Sequence, residues 1–518
     1  ALLGTRRFLP LLVTQFLGAF NDNLFKNALV ILITYVLAER SGLDARVLVV
    51  LAGGILIFPF FLFSATAGQL ADKYDKALLT RYIKLAEIVI MLAAGLGFWF
   101  GSVTLLMAVL FLMGAQSAFF GPIKFGILPD HLAADELVAG NALIETTTFL
   151  AILGGTLLGG LAILAQGGTA LVSVLVVLVA IAGWWTSRSI PATIPATPGL
   201  VVGYNPFTET WRILRVAAES RVIFLCILGI SWFWGVGSTF LSLFPTLAKD
   251  LIGADEGVVT LLLIAFSVGI AGGALLCNRL LKGEVHATYV TLGSMGITLF
   301  ALDLWLSTRA LTPPGPELMG VGAFLAQPGS WRLLADLVLL AISGGLFIVP
   351  LQAMLQHHSP PAHRARNIAA NNVVNSLFMV GAAILSALVL TRGATVPQVF
   401  LLIALINAVV AVYILRLLPG TLVKALIAGL LDVCYRVEVT GLKHVREAGD
   451  RVLIVSNHLS FLDAVLIAAY VPDDLTFAID THMAKQRLIR FFLSLAKTYP
   501  MDPTNPMAIR ALVGEVKR

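Results

Sequence analysis

Apolar runs fill most of this chain and are broken at near-regular intervals by short polar loops. Runs long enough to cross a hydrocarbon core, which takes about 20 residues each, fall near 8–38, 46–71, 78–100, 103–129, 137–165, 169–187, 221–248, 257–281, 286–307, 332–356, 366–391 and 396–418. The pattern predicts twelve membrane-spanning helices and hence an all-α polytopic membrane protein. After Pro419-Gly420 the rhythm changes. Tyr435–Gly441 alternates as a strand does, Arg451–Val455 has the run of a buried strand, and Ala464–Tyr470 has the run of a helix. That succession predicts the opening of an α/β domain over 420–518.

Composition agrees with the pattern. The 518 residues are 58% hydrophobic and 12% charged, with a mean hydropathy of +0.92, against about 25% charged in soluble domains. Thr5-Arg6-Arg7 precedes an apolar stretch too long for a signal-peptide core and lacks a small-residue cleavage site, so the first span is expected to be retained. Because the chain begins at Ala1 and not Met, a missing leader stays open. Cys226, Cys277 and Cys434 have no metal-ligand spacing and are expected to be ordinary buried thiols.

Orientation follows from Lys and Arg at the span ends, which favour the cytoplasm. With the N-terminus inside, that side collects sixteen, Lys84 and Lys124 among them, and the opposite side six. Both termini are therefore expected to be cytoplasmic. Basic residues facing anionic lipid account for the net charge of +6 without nucleic acid.

The connection near 188–220 contains Pro191-Ala192-Thr193-Ile194-Pro195-Ala196-Thr197-Pro198-Gly199, a linker composition, and divides the spans six and six. The expected division is a six-helix bundle over 1–188, a cytoplasmic linker over 189–220, a second bundle over 221–419 and the α/β segment over 420–518. Features recur across the divide: Pro122 and Pro350 stand 228 residues apart and Asn141 and Asn367 stand 226 apart. Parallel halves of six helices are the major facilitator arrangement, with substrate near the midplane between them. The loop Gly68-Gln69-Leu70-Ala71-Asp72-Lys73-Tyr74-Asp75-Lys76 resembles the facilitator pattern G-x-L-a-D-[RK]-x-G-[RK], with Asp75 where the second glycine is usual. The resemblance implies that Gly68, Asp72, Lys73 and Lys76 latch neighbouring helices during the conformational change. A charged turn that only obeys topology is the plain alternative.

Span one carries Asn21-Asp22-Asn23-Leu24-Phe25-Lys26-Asn27 inside an apolar helix. At about 1.5 Å per residue, Asn21 lies about 20 Å from a start at Phe8, well inside a core about 30 Å thick. Asp22 and Lys26, four apart, share a helix face and can neutralise each other. Intramembrane ionisable residues are costly and usually face a cavity or a partner. Asp22, Asn21 and Lys26 are therefore candidate substrate contacts, as are Lys124, Asn141 and Glu145 in the first half and Gln352 and Asn371 in the second. Helix-to-helix hydrogen bonding is the equal alternative for the asparagines.

In the terminal segment, Asn457-His458-Leu459-Ser460-Phe461-Leu462-Asp463 resembles the N-H-x-x-x-x-D signature of the glycerolipid acyltransferase family. A neutral imidazole can take the proton of an alcohol attacking a thioester. The motif gives His458 the role of general base, with Asp463 holding its tautomer and stabilising the imidazolium. Thr476–Asp480 and Pro500–Pro506 also resemble the 2-acyl-glycerophosphoethanolamine acyltransferase/acyl-carrier-protein synthetase family, whose later F-P-E-G motif does not occur before Arg518. The segment is thus expected to be the front of an incomplete acyltransferase, taking acyl-ACP or acyl-CoA as donor, with acyl carrier protein as a candidate partner and no cofactor or metal in the carrier portion.

The chain as a whole resembles the bacterial lysophospholipid transporter family, through Gly18–Asn23, Gly121–Leu128, Asn141–Glu145 and Val349–Gln356. That resemblance implies a multi-pass protein of the bacterial inner membrane. It implies flipping of lysophosphatidylethanolamine, and of lysophosphatidylglycerol, from outer to inner leaflet for reacylation. Gly235–Ser242 in span seven lacks the arginine the family leads one to expect. Two alternatives remain: a facilitator for another amphiphile or small solute, proton-coupled through Asp22 or Glu145, and a membrane region that merely anchors the acyltransferase.

Overall fold

The computed structural model of the chain describes residues 2–33, 45–309, 318–435, 437–447, 454–457, 460–471, 475–480 and 497–501. They form two compact units, Ala1–Val285 with Gly293–Val410, and His286–Leu292 with Ala411–Arg518.

The long helices are α1 (Leu9–Leu32), α2 (Ala45–Lys73), α3 (Lys76–Phe100), α4 (Val103–His131), α5 (Leu137–Leu164) and α6 (Gly168–Ser187), then α8 (Arg221–Thr246), α9 (Glu256–Leu281), α10 (Thr288–Thr308), α11 (Ser330–His358), α12 (Arg364–Thr391) and α13 (Val396–Leu417). A shorter helix, α7 (Pro206–Glu219), precedes α8. Helices satisfy every internal backbone group without water, which is what a bilayer demands of a spanning segment. Eleven helices among the described residues are long and apolar enough to cross a membrane. The twelfth, α1, has 24 residues, about 36 Å at about 1.5 Å per residue, but carries the polar Asn21–Asn27 stretch.

Small residues set the closest approaches. A Cβ at Gly155 would stand 2.3 Å from the Phe20 carbonyl oxygen, and one at Gly159 2.4 Å from that of Leu24. This small-xxx-small stripe lets α5 lie directly on α1. Leu24, Phe25 and Leu29 of α1, Met91 and Phe98 of α3, Leu110 of α4 and Val176 of α6 fill the core of the first half. Pro122 in α4 and Pro350 in α11, matched by the internal repeat, both lie inside their helices.

The second unit holds α14 (Pro419–Cys434), α15 (Leu442–Glu447), α16 (Phe461–Tyr470) and two parallel strands, β1 (Thr476–Asp480) and β2 (Lys497–Met501), with Thr476 opposite Lys497. The Tyr470 hydroxyl donates to Asp432 Oδ1 at 2.8 Å, joining α16 to α14. Burial and that neighbouring carboxylate both push the Tyr470 hydroxyl above its ordinary range. The alternation over Tyr435–Gly441 misleads: its described residues 437–441 are not strand, and the chain turns at Gly441, φ 82°, into α15. Of the expected strand Arg451–Val455, only Ile454 and Val455 are described, outside any ladder. Cys226 and Cys277 are buried as expected, whereas Cys434, the last residue of α14, is exposed.

Candidate functional site

The interior of the first half is built around a carboxylate that reading the sequence did not single out. Lys84 and Glu87 lie on one face of α3, with Lys84 Nζ 2.6 Å from Glu87 Oε2 and both side chains sealed from solvent. Asn21 Nδ2 donates to Glu87 Oε1 at 3.1 Å and to the Val176 carbonyl at 3.2 Å, and Gln116 Nε2 donates to Glu87 Oε2 at 3.0 Å. The carboxylate therefore ties α3 to α1 and α4. The Lys84 ammonium also stands 5.0 Å from the Phe120 ring and fills the space a side chain at Gly18 would take. Counting Lys84 among the cytoplasmic end charges is thus a mistake: it sits about two turns inside its helix. The signal was present, since Lys84-x-x-Glu87 interrupts an apolar run with two opposite charges at helical spacing.

From this network a hydrogen-bonded path leads to Asp22. Ser117 Oγ contacts Gln116 Oε1 at 3.3 Å and donates to Asp22 Oδ2 at 2.8 Å. Asp22 and Lys26 share a helix face but form no ion pair within 4.0 Å, so Ser117 of α4 replaces Lys26 as the expected partner. Asp22, Lys26 and Lys124 are half-buried, while Asn21, Gln116, Asn141 and Glu145 are buried. Lys124 lies within electrostatic range of both Glu145 and Asp22, with its ammonium 4.7 Å from the Phe125 ring. Glu145 Oε2 and Asn21 Oδ1 are buried without a hydrogen-bond partner, as are Gln352 Oε1 and Asn371 Oδ1 in the second half. Such atoms are left ready for a polar group that enters from outside.

A buried aromatic cluster joins α5 of the first half to the second half. Phe149 of α5 stacks on Trp234 of α8 at 5.9 Å and meets Phe233 and Phe266 edge-on, and Phe240 stacks on Phe400 at 5.2 Å. Trp232 Nε1 donates to Asn407 Oδ1 at 2.7 Å, so Trp232 and Trp234 serve the interior and not, as tryptophans in spans often do, the lipid interface. In Gly235–Ser242, where an arginine was missed, the Ser238 and Thr239 hydroxyls bond back to the Gly235 carbonyl.

The two halves meet through a polar latch at the end of the bundle that carries the 68–76 loop. Asp72, wholly buried, accepts from the Ala365 backbone N–H at 3.0 Å and from Arg366 Nε at 2.9 Å, so it caps the first turn of α12 as well as pairing with its arginine. Gly68 makes this possible: a Cβ there would stand 2.7 Å from that of Ala369. Asp130 bridges Lys76 at 2.8 Å and Arg364 at 3.3 Å. Asn141 and Gln356 exchange two amide hydrogen bonds of 2.8 Å each, so this asparagine, a candidate substrate contact, joins helices in the present arrangement. Lys73 stays outside the latch, its ammonium 5.5 Å from the Tyr74 ring. Asp75, standing where glycine is usual, caps α3: its Oδ1 accepts from the Ala77 N–H at 2.9 Å and from the Thr193 N–H at 2.8 Å. The departure from the loop pattern thus fastens the following connection to the latch.

In the second unit, Asp463 Oδ2 accepts from the Ser460 N–H at 2.8 Å and Ser460 Oγ accepts from the Leu462 N–H at 3.2 Å, a capping box that opens α16. His458, the expected general base, lies outside the described residues.

Two six-helix halves, latched at one end around a polar interior, define a facilitator-type carrier. The fold is similar to that of FucP, a major facilitator transporter solved in the outward conformation, with a TM-score of 0.60 and 12% identity over 78% of this chain and 97% of that one. It is also similar to a bacterial homologue of the iron transporter ferroportin in an outward-facing state, with a TM-score of 0.55 and 16% identity over 78% of this chain and 98% of that one. The family model described as transmembrane secretion effector matches residues 21–326, and one described as acyltransferase matches residues 436–518. The lysophospholipid transporter of Serratia proteamaculans is 30% identical over 388 residues, covering 73% of this chain and 86% of that relative. That of Pectobacterium carotovorum is 29% identical over 410 residues, covering 76% and 88%. The chain belongs to the lysophospholipid transporter family of the major facilitator superfamily, with an acyltransferase segment following the carrier.

Proposed function

We propose that this protein carries lysophosphatidylethanolamine, and lysophosphatidylglycerol, from the outer to the inner leaflet of a bacterial inner membrane, for reacylation by the acyltransferase that begins after α13. The observation that supports this reading best is an interior that holds both charged groups, Asp22, Lys124 and Glu145, and an apolar aromatic cluster around Phe149. A lysophospholipid has one acyl chain and a charged head group, and needs both surfaces. Asp22 is suited to the ethanolamine cation and Lys124 to the phosphate, with Glu145 close to Lys124; the aromatic cluster around Phe149, Trp234 and Phe266 is suited to the chain.

The latch end is taken as cytoplasmic because Lys and Arg gather there. With that end closed through Asp72 and Arg366, the carrier stands ready to load from the outer leaflet. Transport requires the latch to break, with Gly68, Asp72 and Lys76 re-sorting their partners. At the acyltransferase, His458 takes the proton of the lysolipid hydroxyl as that oxygen attacks the thioester of acyl-ACP or acyl-CoA; the C–S bond then breaks, and the leaving thiolate takes the proton back from His458. Asp463 steadies the resulting imidazolium.

The experiment uses the full-length protein in vesicles given labelled lysophosphatidylethanolamine outside and acyl donor inside. The expected result is inward label followed by labelled diacyl product, with His458→Ala abolishing product while entry continues. Entry equal to that of protein-free vesicles would overturn the transport reading. Undiminished product from His458→Ala would remove this residue from the chemistry.

A further inference from the structure

The connection between the halves has the composition of a water-exposed linker, yet its helix α7 is three-sided. At about 100° per residue, the buried positions Glu209, Thr210, Ile213 and Ala217 fall on one side, and α7 packs there against α2, α8 and α12. Glu209 Oε2 accepts from Gln69 Nε2 at 2.9 Å, and the Gly203 N–H donates to Gln69 Oε1 at 2.8 Å, which docks the helix on the latch loop. Phe207 and Trp211, with Leu214 and Ala218, occupy a second side about a quarter to a third of a turn away. Thr208, Arg212, Arg215 and Glu219 occupy a third.

The second side is apolar and mostly exposed: Phe207, whose ring meets Phe61 of α2 edge-on at 6.3 Å, is still 68% exposed and Trp211 71%, with Tyr204 78% exposed just before them. A soluble connection would leave these rings in water at a cost of about 25 cal/mol per Å² of apolar surface. Their position points elsewhere. Only Ser220 separates α7 from the membrane-spanning α8, and Arg215, at the border of the second and third sides, and Arg221, at the start of α8, are both exposed. Aromatic rings beside arginines at the end of a span are the composition of an element seated in the headgroup layer.

We propose that α7 lies in the membrane surface at the latch end, with Phe207 and Trp211 inserted between acyl chains, Arg215 on anionic lipid phosphate, and Thr208 and Arg212 towards water. The lipid surface then holds one side of a helix whose other side spans α2 of the first half and α12 of the second. It thereby bears on the closure between Asp72 and Arg366.

The test uses the full chain carrying Cys434→Ser, reconstituted in vesicles of phosphatidylethanolamine and phosphatidylglycerol. Phe207→Cys and Thr208→Cys are each labelled with an environment-sensitive fluorophore. These neighbours point about 100° apart at the end of α7 remote from α8, so α8 does not bring either into lipid, and the packing of α7 on α2 is common to both positions. Quenching by a shallow spin-labelled lipid should be at least about twofold stronger at 207 than at 208, and adding Trp211→Ala should lower it. Exchanging phosphatidylglycerol for phosphatidylcholine should weaken quenching at 207, and Arg215→Gln should remove that dependence. Equal quenching at the two positions would overturn the proposal and leave the apolar side to a protein partner. Strong quenching at 207 that ignores lipid charge would overturn the anionic-lipid assignment to Arg215.

Discussion

Glu87→Met removes the carboxylate that Lys84, Asn21 and Gln116 all address. The Lys84 ammonium, fully buried, would keep the Phe120 ring beside it and the Asp22 carboxylate within electrostatic range, but no hydrogen-bonded counter-charge. Breaking a buried pair from one side leaves an uncompensated charge and costs about 3–5 kcal/mol, well above the loss expected of a single neutral hydrogen bond, about 1 kcal/mol. Lys84→Met should cost less, because Glu87 retains two amide donors. The double variant Lys84→Met/Glu87→Met exchanges the pair for apolar chains of similar volume and should recover most of the loss, a coupling of about 2 kcal/mol or more. Reversible SDS titration of purified protein in mixed micelles measures all four members of this cycle. A double variant as unstable as the sum of the singles would refute the pair as a coupled unit.

Asp72→Asn should weaken the latch by about 1–2 kcal/mol, the scale of one charged hydrogen bond, and raise the open latch-end population several-fold; spin labels at Tyr74 and His358 would report a grown long-distance component, and an unchanged distribution would count against the latch. Asp75→Gly, which restores the usual loop residue, should destabilise by a few tenths of a kcal/mol through loss of the α3 cap and by about 1 kcal/mol more through the lost bonds to Thr193, and should speed proteolysis within 191–199; equal stability and cleavage would deny Asp75 this role. Burial, with Lys424 nearby, pulls the His286 imidazole from 6.5 down to about 4, and its Nδ1 faces the Thr288 N–H. The unfolded chain therefore protonates first, and stability falls as pH drops from about 6.5 towards 4, by about 2 kcal/mol at pH 5. His286→Gln should flatten that slope in thermal melts, and a slope that persists would mean that other groups set it.

The long helices were legible because length and hydropathy are properties of each segment alone: for the spans α2 to α6 and α8 to α13 the expected and observed limits differ by only a residue or two, whereas α7, within the expected linker, was not read as a helix. Partners were harder to read. Asp22 and Lys26 satisfy a spacing rule within one helix, but a serine on α4 takes the hydrogen bond, and no periodicity in α1 reports what α4 presents. Lys84 was misplaced because a basic residue within a few positions of a span end has two readings, interfacial or interior, and the choice depends on Glu87 and on the space above Gly18. Asp75 looked like a defect in a loop pattern until the cap on α3 and the contact with Thr193 gave it a partner. In the terminal segment, alternation over only seven residues could not distinguish strand from the extended lead-in to α15, since no neighbouring strand is specified locally.

The most direct test of the account is the initial rate of inward movement of lysophosphatidylethanolamine into proteoliposomes holding either the wild-type chain or Asp22→Asn, at matched protein content and with the folded state verified by elution profile. The substitution keeps shape and hydrogen bonding to Ser117 but removes the charge offered to the ethanolamine cation. The account predicts uptake well above protein-free vesicles for the wild type and a fall of about tenfold or more for the variant, since about 1.4 kcal/mol corresponds to a factor of ten and a buried charge contact exceeds that. Equal rates for the two proteins would contradict the placement of the head group at Asp22, and a wild-type rate no higher than that of empty vesicles would contradict lysophospholipid transport itself.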